Sequence, residues 1–338
     1  MLNEFSLIER YFKHRPTGAW ASQGVGDDCA LLTIGSSRLA VTMDQMAIGT
    51  HFLPEADPYN VGYKALAVNL SDLAAAGAVP RAFFLGLGLS ELDEAWVRAF
   101  SEGLMALARE AQCDLLGGDT TKTPRVNGVA APTTIAITAL GEVPLEGGLT
   151  RSGARPGEDI WVTGTLGDAY LSLMLRWGRL LPNAALTPEG RAYLDSRMDR
   201  PTPRYLLGAA LQGIASAAAD ISDGFAQDLG HILTASGVSA QVQWEEIPKS
   251  KPLLTFAFHD QERAVLSGGD DYELVFTAPV QYREQIVALS HQFRLRISLI
   301  GSVIEPRGDA KLIVRNSQGL NVPIQAGFDH FGNSSDIE

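Results

Sequence analysis

Aspartates recur beside glycines and other small residues along the 338-residue chain, and they are the side chains best suited to chemistry. Short carboxylates can hold hard cations such as Mg²⁺ close to the backbone, with oxygen as the ligand atom. Without a cation, two of them about 4 Å apart repel by roughly 4 kcal/mol at an effective dielectric near 20. The motifs are therefore either separate turns or parts of one metal site. They are Gly26-Asp27-Asp28, Asp44, Asp72, Gly118-Asp119, Asp220-Ile221-Ser222-Asp223-Gly224 and Gly268-Gly269-Asp270-Asp271.

Each motif, taken singly, also has an ordinary structural explanation. Aspartate and glycine are frequent turn residues, so Gly26-Asp27-Asp28 and Gly118-Asp119-Thr120 are each typical of a turn. In the 220–224 segment, Ser222 or Asp223 is expected to cap a helix N-terminus. Such a cap is compatible with a functional role, because a helix N-terminus also favours a bound phosphate.

Several common nucleotide sites are missing from the sequence. There is no Gly-x-x-x-x-Gly-Lys-Ser/Thr segment, which excludes a Walker-type ATP site. The His-Arg-Asp and Asp-Phe-Gly segments of protein kinases are absent too. His51 and His231 have no ligand partner nearby in the sequence, which is more typical of structural histidines, although His51 follows a Gly-Thr turn shortly after Asp44. The aspartates remain the best candidates for chemistry.

The overall charge indicates which classes of partner the protein can bind. The 27 basic and 39 acidic residues give a formal charge of −12, and 46% of the chain is hydrophobic. The sequence pI near 5.0 argues against binding to nucleic acid or to an anionic membrane, which require a basic surface. An anionic substrate can still bind if metal ions invert the local field.

Two further features favour a cytoplasmic protein. Cys29 and Cys113 form neither a disulfide framework nor a metal-ligand spacing, which suits a reducing compartment. At the N-terminus, Phe5, Ile8 and Phe12 recur at helical spacing among charges, which predicts a short amphipathic helix rather than a signal peptide. No run approaches the roughly 20 apolar residues that span a bilayer. We therefore expect a soluble protein that does not bind membranes.

The elements that position the aspartates are predicted from periodicity. Residues 39–43 are expected to form a strand with Asp44 at its C-terminal end. An apolar stripe predicts a helix over 61–76. Asn69 and Asp72 share another face of that helix, and Asp72 lies near its C-terminus, where the helix dipole disfavours an anion. A bound cation would remove that conflict.

A segment rich in glycine at 144–158, with two prolines, is the best candidate for a domain boundary. Strands and helices alternate on both sides of it, which predicts two α/β domains, residues 1–145 and 146–338. In the first domain, a long helix is expected to begin near Asp93, and a strand is expected over 130–140. In the second domain, the predicted strands cover 160–163, 217–221, 273–277 and 297–303.

The order of the motifs is more informative than any one of them. Over residues 5–331 the chain closely resembles the thiamine-monophosphate kinases, a family of the aminoimidazole ribonucleotide synthetase-like ATP-binding superfamily. The segments shared across the superfamily are Gly-Asp-Asp (26–28), Asn-Leu-Ser-Asp (69–72) and Asp-Ile-Ser-Asp-Gly (220–224). The segments that favour the thiamine-phosphate branch are Gly-Thr-His-Phe (49–52), Gly-Gly-Asp-Asp-Tyr-Glu-Leu (268–274) and Gly-Phe-Asp-His-Phe (327–331).

The resemblance implies a layered α/β fold of two domains. The N-terminal sheet domain binds ATP and Mg²⁺ and forms a homodimer, and the C-terminal α/β domain closes the active-site cleft. The implied reaction transfers the γ-phosphoryl group of ATP to thiamine monophosphate in line, assisted by several Mg²⁺ ions that neutralise and align two polyanions. The attacking phosphate oxygen is already ionised near pH 7, so the reaction requires no general base.

The same resemblance implies roles for individual residues. The residues that match Mg²⁺ ligands are Asp28, Asp44, Asp72, Asp119, Asp220 and Asp223, with Asp27 and Thr42 beside them. The residues that match ATP contacts are Gly118, Asp119, Arg151 and Ser222. Those expected to act on the transferred group are Asp28, Asp72 and Arg151. Those that match positions facing thiamine monophosphate are His51, Asp270 and Phe328.

Two alternatives are open at this point. Another ATP-dependent enzyme of the superfamily, such as a ribonucleotide synthetase or a selenophosphate synthetase, would share the aspartates. The latter normally carries an N-terminal reactive cysteine or selenocysteine, and no cysteine precedes Asp27. A non-enzymatic, acidic protein that binds divalent metals would explain the carboxylates but not Arg151, Ser222 and the aromatic segment near the C-terminus. Phe328 stands where many relatives carry Tyr or Trp, which keeps an aromatic face without a polar group.

Overall fold

The computed structural model describes residues 4–13, 20–181, 185–308, 311–325 and 327. Within these residues the chain forms two mixed, six-stranded sheets with helices packed against them. Residues 144–158 separate the two sheets along the chain. The predicted two-part α/β fold is therefore confirmed, whereas a domain division at residue 145 stays a prediction.

The first half of the chain builds one sheet. Its helices are α1 (Glu4–Tyr11), α2 (Pro58–Ala75) and α3 (Glu94–Glu110). Its strands are β1 (Ala21–Gln23), β2 (Ala30–Ile34), β3 (Ser37–Ala47), β4 (Val79–Leu89), β5 (Asp114–Lys122), β6 (Arg125–Val126), β7 (Val129–Ala130) and β8 (Thr134–Val143). The strand order in the sheet is β1-β2-β3-β8-β4-β5, with β4 and β5 parallel and the other pairs antiparallel, while β6 and β7 form a separate hairpin.

The second half builds the other sheet, in the order β10-β12-β9-β13-β11-β14. Its strands are β9 (Asp159–Thr163), β10 (Ala217–Asp220), β11 (Ser239–Gln243), β12 (Leu274–Ala278), β13 (Ile297–Ile304) and β14 (Leu312–Arg315). Its helices are α4 (Asp168–Arg176), α5 (Pro188–Asp199), α6 (Tyr205–Ala210), α7 (Phe225–Ser236), α8 (Phe258–Ser267) and α9 (Arg283–Phe293). Among the described residues, no helix has both the length and the apolar character needed to cross a membrane.

Helix α2 lies between the two sheets and packs against β3 and β8 of the first sheet and β10 of the second. It begins after Asp57, whose side chain accepts the Tyr59 N–H at 3.0 Å, and Pro58 occupies the first turn, where its missing N–H is not needed. Thirteen of its 18 residues are buried, so it is covered on nearly every side. Its contact with α3 requires glycine, because a Cβ at Gly62 would lie 2.0 Å from the Phe100 carbonyl oxygen.

The hydrophobic core around α2 includes side chains from both halves of the chain. Leu66 and Leu70 of α2 are fully buried in it. The same core contains Trp161 of β9, Tyr205 of α6 and Phe276 of β12. The two halves are therefore joined by shared apolar packing, and residues on α2 can reach groups from either sheet.

Two strand boundaries differ from the predictions. The strand expected to end before Asp44 continues to Ala47, because its pairing with β8 extends as far as Thr134. Asp44 therefore lies inside β3 and not at its end. The strand expected over 130–140 begins only at Thr134, since the preceding residues turn back in the β6–β7 hairpin. Its turn is Asn127-Gly128, and both residues have positive φ, which is the typical two-residue hairpin turn.

Candidate functional site

Three aspartates from separate elements converge between the two sheets. Asp28 lies in the turn before β2, Asp72 lies on α2, and Asp220 ends β10. Each offers a carboxylate oxygen, and these oxygens all lie within 4.8 Å of one another. We call these three residues the carboxylate trio. Their convergence unites three motifs that are separate in the sequence.

Hydroxyl groups fix two members of the trio. Thr42 on β3 donates to the Asp72 carboxylate at 2.5 Å, and Ser71 on α2 donates to Asp220 at 2.6 Å. The Ser71 contact joins the first half of the chain to the second. Oriented in this way, the carboxylates of Asp72 and Asp220 are held towards each other before any ligand binds.

Asp44 is brought beside the trio by Asn69. The buried Asn69 side chain accepts the Asp44 backbone N–H at 3.1 Å and donates to the Ala65 carbonyl oxygen at 3.1 Å. This fixes β3 against α2. The Asp44 carboxylate is close enough to Asp28 and Asp223 for their charges to act on it.

Arg151, in the segment between the sheets, is the cation at this site. Its guanidinium donates to Asp28 through Nε at 3.1 Å and Nη2 at 2.5 Å. Its backbone N–H donates to the two oxygens of Asp27 at 3.1 and 3.2 Å, and Gln23 donates to the same carboxylate at 2.9 Å. Asp27 therefore anchors the loop before β2 to the connecting segment, and its role as a metal ligand stays a prediction.

Burial dominates the electrostatics of the site. It raises the pKa of Asp220 to about 8, and the charge of Asp28 adds to the effect. Burial, followed by the charge of Asp223, raises the pKa of Asp44 to about 6. Burial, followed by the charge of Asp44, raises the pKa of Asp72 well above its ordinary value. These shifts are those of carboxylates crowded together without enough positive charge.

The residues present fit Mg²⁺. The ligand atoms offered are carboxylate oxygens with a hydroxyl beside them, which suit a hard divalent cation. The Asp28 side chain is 2% exposed, and its Oδ2 is buried without a hydrogen-bond partner in the described part of the chain. A buried, unpartnered carboxylate oxygen is costly, and a cation would satisfy it.

The start of α7 differs from the sequence prediction. The residue at its N-cap is Gly224, and neither Ser222 nor Asp223 caps it through a side chain. The carboxylate of Asp228 instead accepts the backbone N–H groups of Ser222, Asp223 and Gly224 at 3.0, 3.1 and 3.1 Å. Because Asp228 is 1% exposed and already fills this set of amides, a phosphate cannot use the same three donors.

Gly118 and Asp119 lie on β5, at the edge of the first sheet. A Cβ at Gly118 would lie 1.9 Å from the Leu85 carbonyl oxygen, so only glycine fits there. Strand pairing across β3, β8, β4 and β5 aligns Asp119 with Gln45 in one cross-strand row, so the two side chains lie on the same face of the sheet. Because successive residues of a strand point to opposite faces, Asp44 lies on the other face. Within one copy of the chain, Asp119 is therefore not brought to the carboxylate trio.

Two of the residues expected to face the substrate, His51 and Asp270, lie towards the N-terminal end of α2. His51 lines a cleft beside the start of α2, and its Nδ1 accepts the Ala47 N–H at 3.1 Å, which places the ring proton on Nε2. Asp270, in the loop before β12, accepts a hydrogen bond from the buried Lys64. Phe328 lies outside the described residues.

Sequence reasoning missed three residues that shape this site: Asp228, Ser71 and Lys64. Asp228 has an ordinary position in the first turn of a helix, and nothing local shows that it accepts three amides. Ser71 is part of a recognised motif, but its partner Asp220 is 149 residues away. Lys64 did leave a signal, since it is the one charged residue in the otherwise apolar and polar run 61–71.

Comparison with known families matches both halves of the chain. Residues 26–143 match the N-terminal domain of the AIR synthase related proteins, and residues 155–313 match the C-terminal domain of the same family. Thiamine-monophosphate kinase from Salmonella typhimurium is 42% identical over 332 residues, which cover 97% of this chain and 98% of the relative. The enzyme from Haemophilus influenzae is 39% identical over 98% of this chain and 99% of the relative.

Solved structures of thiamine-monophosphate kinases also resemble this chain over most of its length. The crystal structure of thiamine-monophosphate kinase from Stenotrophomonas maltophilia K279a superposes with a TM-score of 0.76 at 39% identity, covering 90% of this chain and 93% of that one. The complex of AaThiL with AMPPCP and TMP superposes with a TM-score of 0.80 at 30% identity, covering 97% of each chain. With its two AIR synthase related domains and full-length relatives of this kind, the chain belongs to the thiamine-monophosphate kinase family.

Proposed function

We propose that the protein phosphorylates thiamine monophosphate with ATP, giving thiamine diphosphate and ADP. The observation that carries the proposal is the carboxylate trio between the sheets, in a chain of this family, with an Asp28 oxygen that has no partner in the described part of the chain. The trio offers a site for divalent cations, which kinases need to bring ATP and a phosphate acceptor together. AaThiL, the family member whose complex contains AMPPCP and TMP, supports both substrates.

The metal ligands would be the trio together with Asp44 and Asp223. Bound Mg²⁺ would supply the positive charge that neutralises and bridges the phosphate groups of the two substrates. Thr42 and Ser71 hold Asp72 and Asp220 in position through their hydroxyl groups. Asp27 supports the site by anchoring its loop to the Arg151 backbone.

Arg151 is proposed to bind the transferred phosphoryl group or its neighbour in ATP. Its ion pair with Asp28 keeps the guanidinium at the site before substrates arrive. Burial alone would lower the pKa of Arg151, but Asp28 raises it above its ordinary value, so the group stays charged. The Ser222 side chain and the backbone around Gly118 would contact ATP, while His51, Asp270 and Phe328 would face thiamine monophosphate.

We infer that transfer is direct and in line. The attacking phosphate oxygen needs no general base, and no nucleophilic side chain is required. Transfer of a chirally labelled γ-phosphoryl group should therefore proceed with inversion at phosphorus. Retention would show that a phosphoenzyme intermediate intervenes.

The protein is proposed to act as a cytoplasmic homodimer that pairs through its first sheet. Met43 and Phe84 lie in one cross-strand row on the outer face of that sheet and are 63% and 42% exposed. Strand β5 has an uncovered edge and exposes Leu116 by 64%. Exposed apolar groups beside an open strand edge favour association. Asp119 lies on the same face as Met43, so any metal or ATP role for Asp119 would be exercised across such an interface.

ADP release measured with and without thiamine monophosphate, at several Mg²⁺ concentrations, tests the function. We expect release that depends on both thiamine monophosphate and Mg²⁺. Release driven by another acceptor would indicate a different enzyme of the superfamily. Metal binding without any ADP release would indicate a non-enzymatic metal-binding protein.

A further inference from the structure

The last residue of α7, Ser236, is bonded to the segment that carries Arg151. Its hydroxyl accepts the backbone N–H groups of Gly153 and Ala154, each at 3.1 Å, and donates to the Arg151 carbonyl oxygen at 3.3 Å. A serine hydroxyl has one donor and two acceptor sites, and all three are used here. The whole hydrogen-bonding capacity of this side chain therefore serves to hold the connecting segment against α7.

A second hydroxyl on the same helix shows the more usual arrangement. Thr234 donates to the Gly230 carbonyl oxygen, four residues earlier in α7, at 2.7 Å, which is common for serine and threonine inside helices. Thr234 is exposed and also accepts a hydrogen bond from Lys311 at 2.8 Å. Ser236 instead bonds groups that lie 82 to 85 residues earlier in the chain. The two hydroxyls form a matched pair, of which one is local and the other joins two separate segments.

The backbone of Arg151 is held from two sides. Its N–H donates to Asp27, and its carbonyl oxygen accepts the Ser236 hydroxyl. The carbonyl oxygen of the preceding residue, Thr150, accepts the Ala218 N–H of β10 at 3.0 Å. Because both of its peptide groups are fixed, Arg151 has a defined direction in which its guanidinium can extend, and that direction leads to the carboxylate trio.

Helix α7 also contributes to the surroundings of the Arg151 side chain. Burial, followed by the charge of Arg151, lowers the pKa of His231 to about 4, so this imidazole on α7 is neutral near the guanidinium. The first turn of the same helix fixes the loop that holds Ser222, through the three amides that Asp228 accepts. One helix therefore supports both side chains that are proposed to contact ATP, Ser222 at its start and Arg151 at its end.

We propose that Ser236 is a positioning residue, which acts on ATP by fixing the direction of the Arg151 side chain. This inference rests on the proposed function, in which Arg151 binds a phosphate of ATP. A displacement of about 1 Å in a group that binds the reacting atoms can cost about 100-fold in rate. Since Asp27 still anchors the Arg151 N–H when Ser236 is lost, we expect a smaller effect, of about tenfold.

Ser236→Ala provides the test, and Ser236→Thr is the conservative variant that keeps the hydroxyl. In Ser236→Ala, kcat/KM for ATP should fall by about tenfold, while KM for thiamine monophosphate at saturating ATP should change by about twofold or less. Binding of AMPPCP with Mg²⁺, measured by calorimetry, should weaken by about the same tenfold factor. Ser236→Thr should stay within about threefold of wild type, because its hydroxyl can make the same three hydrogen bonds. Thr234→Val, which removes the local hydroxyl of the same helix, is the matched control and should bind AMPPCP as wild type does.

A double-mutant cycle with Arg151→Met shows whether Ser236 acts through Arg151. Without the guanidinium its direction no longer matters, so Ser236→Ala should weaken AMPPCP binding by about twofold or less in that background. Calorimetry with excess ligand extends the measurement to weak binding. An equal loss in both backgrounds would overturn the inference, because Ser236 would then support the fold independently of Arg151. Wild-type affinity in Ser236→Ala, or equal weakening in Ser236→Ala and Ser236→Thr, would overturn it as well.

Different results would count against the proposed function. If Arg151→Met alone binds AMPPCP as tightly as wild type, the proposed role of Arg151 is wrong, and this inference fails with it. If the wild-type protein releases no ADP in the presence of thiamine monophosphate, the proposed function is overturned. The inference about Ser236 then stands when the binding cycle shows a loss only in the presence of Arg151, and fails when it does not.

Discussion

The carboxylate trio and the surroundings of Glu273 both bury acidic side chains, with Asp220 3% exposed and Glu273 0% exposed. Glu273 is held by Arg197 Nη2 at 2.7 Å, by Arg204 Nε at 2.6 Å and by the Thr163 hydroxyl at 2.6 Å. Burial alone would raise the pKa of Glu273, but Arg204 and Arg197 hold it below its ordinary value. Around the trio, burial instead raises the pKa values of Asp220 and Asp72, since the Arg151 side chain pairs only with Asp28 within the described residues.

The difference distinguishes a structural ion-pair cluster around Glu273 from the trio, which we propose binds a cation. Glu273 obtains its positive charge from the chain itself, and its oxygens are fully engaged. In the trio, a buried oxygen of Asp28 has no hydrogen-bond partner among the described residues, and like charges lie together. A fold that tolerates such crowding leaves part of the neutralising charge to be supplied from outside. Breaking the two clusters should therefore have opposite consequences for stability and activity.

The largest effect is expected for Asp72→Asn. Under the proposed role of Asp72 as a Mg²⁺ ligand, its loss should lower kcat by about 10³-fold or more, equivalent to several kcal/mol of transition-state stabilisation. Because the change removes one of several crowded negative charges, the metal-free variant should melt at the same temperature as wild type or higher. Steady-state kinetics and thermal unfolding measure both effects. Activity close to wild type would refute the metal role of Asp72.

Arg204→Met should show the reverse pattern. Removing one partner of a buried ion pair leaves Glu273 less compensated, and we expect a loss of about 3 kcal/mol in the free energy of unfolding. Turnover per folded molecule should change far less than in Asp72→Asn. Urea unfolding gives the measurement, with Arg81→Met as control, since the Arg81–Glu142 pair is exposed and contributes about 1 kcal/mol or less. Equal losses in both variants would contradict the buried role of Glu273.

The pH dependence of stability and of Mg²⁺ binding provides a further test of the difference between the trio and the Glu273 cluster. Burial, followed by neighbouring carboxylates, raises the pKa values of Asp44, Asp27 and Asp220 to about 6, 7 and 8 from 3.8. A carboxyl group whose pKa is raised in the folded state contributes to the free energy of unfolding below about pH 4. This contribution is lost as the pH rises towards about 8. The proposed Mg²⁺ would bind the ionised form of these carboxylates, so its binding should strengthen over the same range.

We therefore expect Tm of the metal-free protein to fall between about pH 5 and about pH 8, and the increase in Tm caused by Mg²⁺ to grow. Thermal unfolding with and without Mg²⁺ at the two pH values measures this. Since Glu273 has a lowered pKa, its contribution is already complete near pH 5 and does not obscure the trend. An Mg²⁺ effect of equal size at both pH values would count against the trio as the metal site.

A smaller effect is expected for Asp228→Asn. The Asp228 carboxylate accepts hydrogen bonds from three backbone N–H groups. It therefore differs both from the trio, where carboxylates crowd together, and from Glu273, which is paired with arginines. The amide can still accept these bonds but more weakly, so the loop that carries Asp223 should loosen. We expect Mg²⁺ affinity to weaken by about tenfold, which calorimetric titration can measure. Unchanged affinity would mean that the loop geometry does not depend on the Asp228 charge.

Much of the fold and part of the site follow from sequence. Apolar periodicity predicts α2 well, and the order of the aspartate motifs predicts that Asp28, Asp72 and Asp220 belong together. Strand β5 could not be recognised in the same way, because Gly117-Gly118 inside it is typical of a turn. The pairs Lys64–Asp270 and Arg204–Glu273 are 206 and 69 residues apart. The first pair depends on how the two halves meet and the second on packing within the second half, and local periodicity encodes neither.

The position of α2 between the sheets also affects how the chain is made. When the first half has left the ribosome, the surface of α2 that will meet β10 is still uncovered. Its cover includes Tyr205 and Phe276, which are synthesised much later. The nascent chain therefore carries an apolar surface during translation until the second half emerges, and exposed surface of this kind favours aggregation. A helix that packs against both sheets thereby delays completion of the fold until the second sheet has been translated.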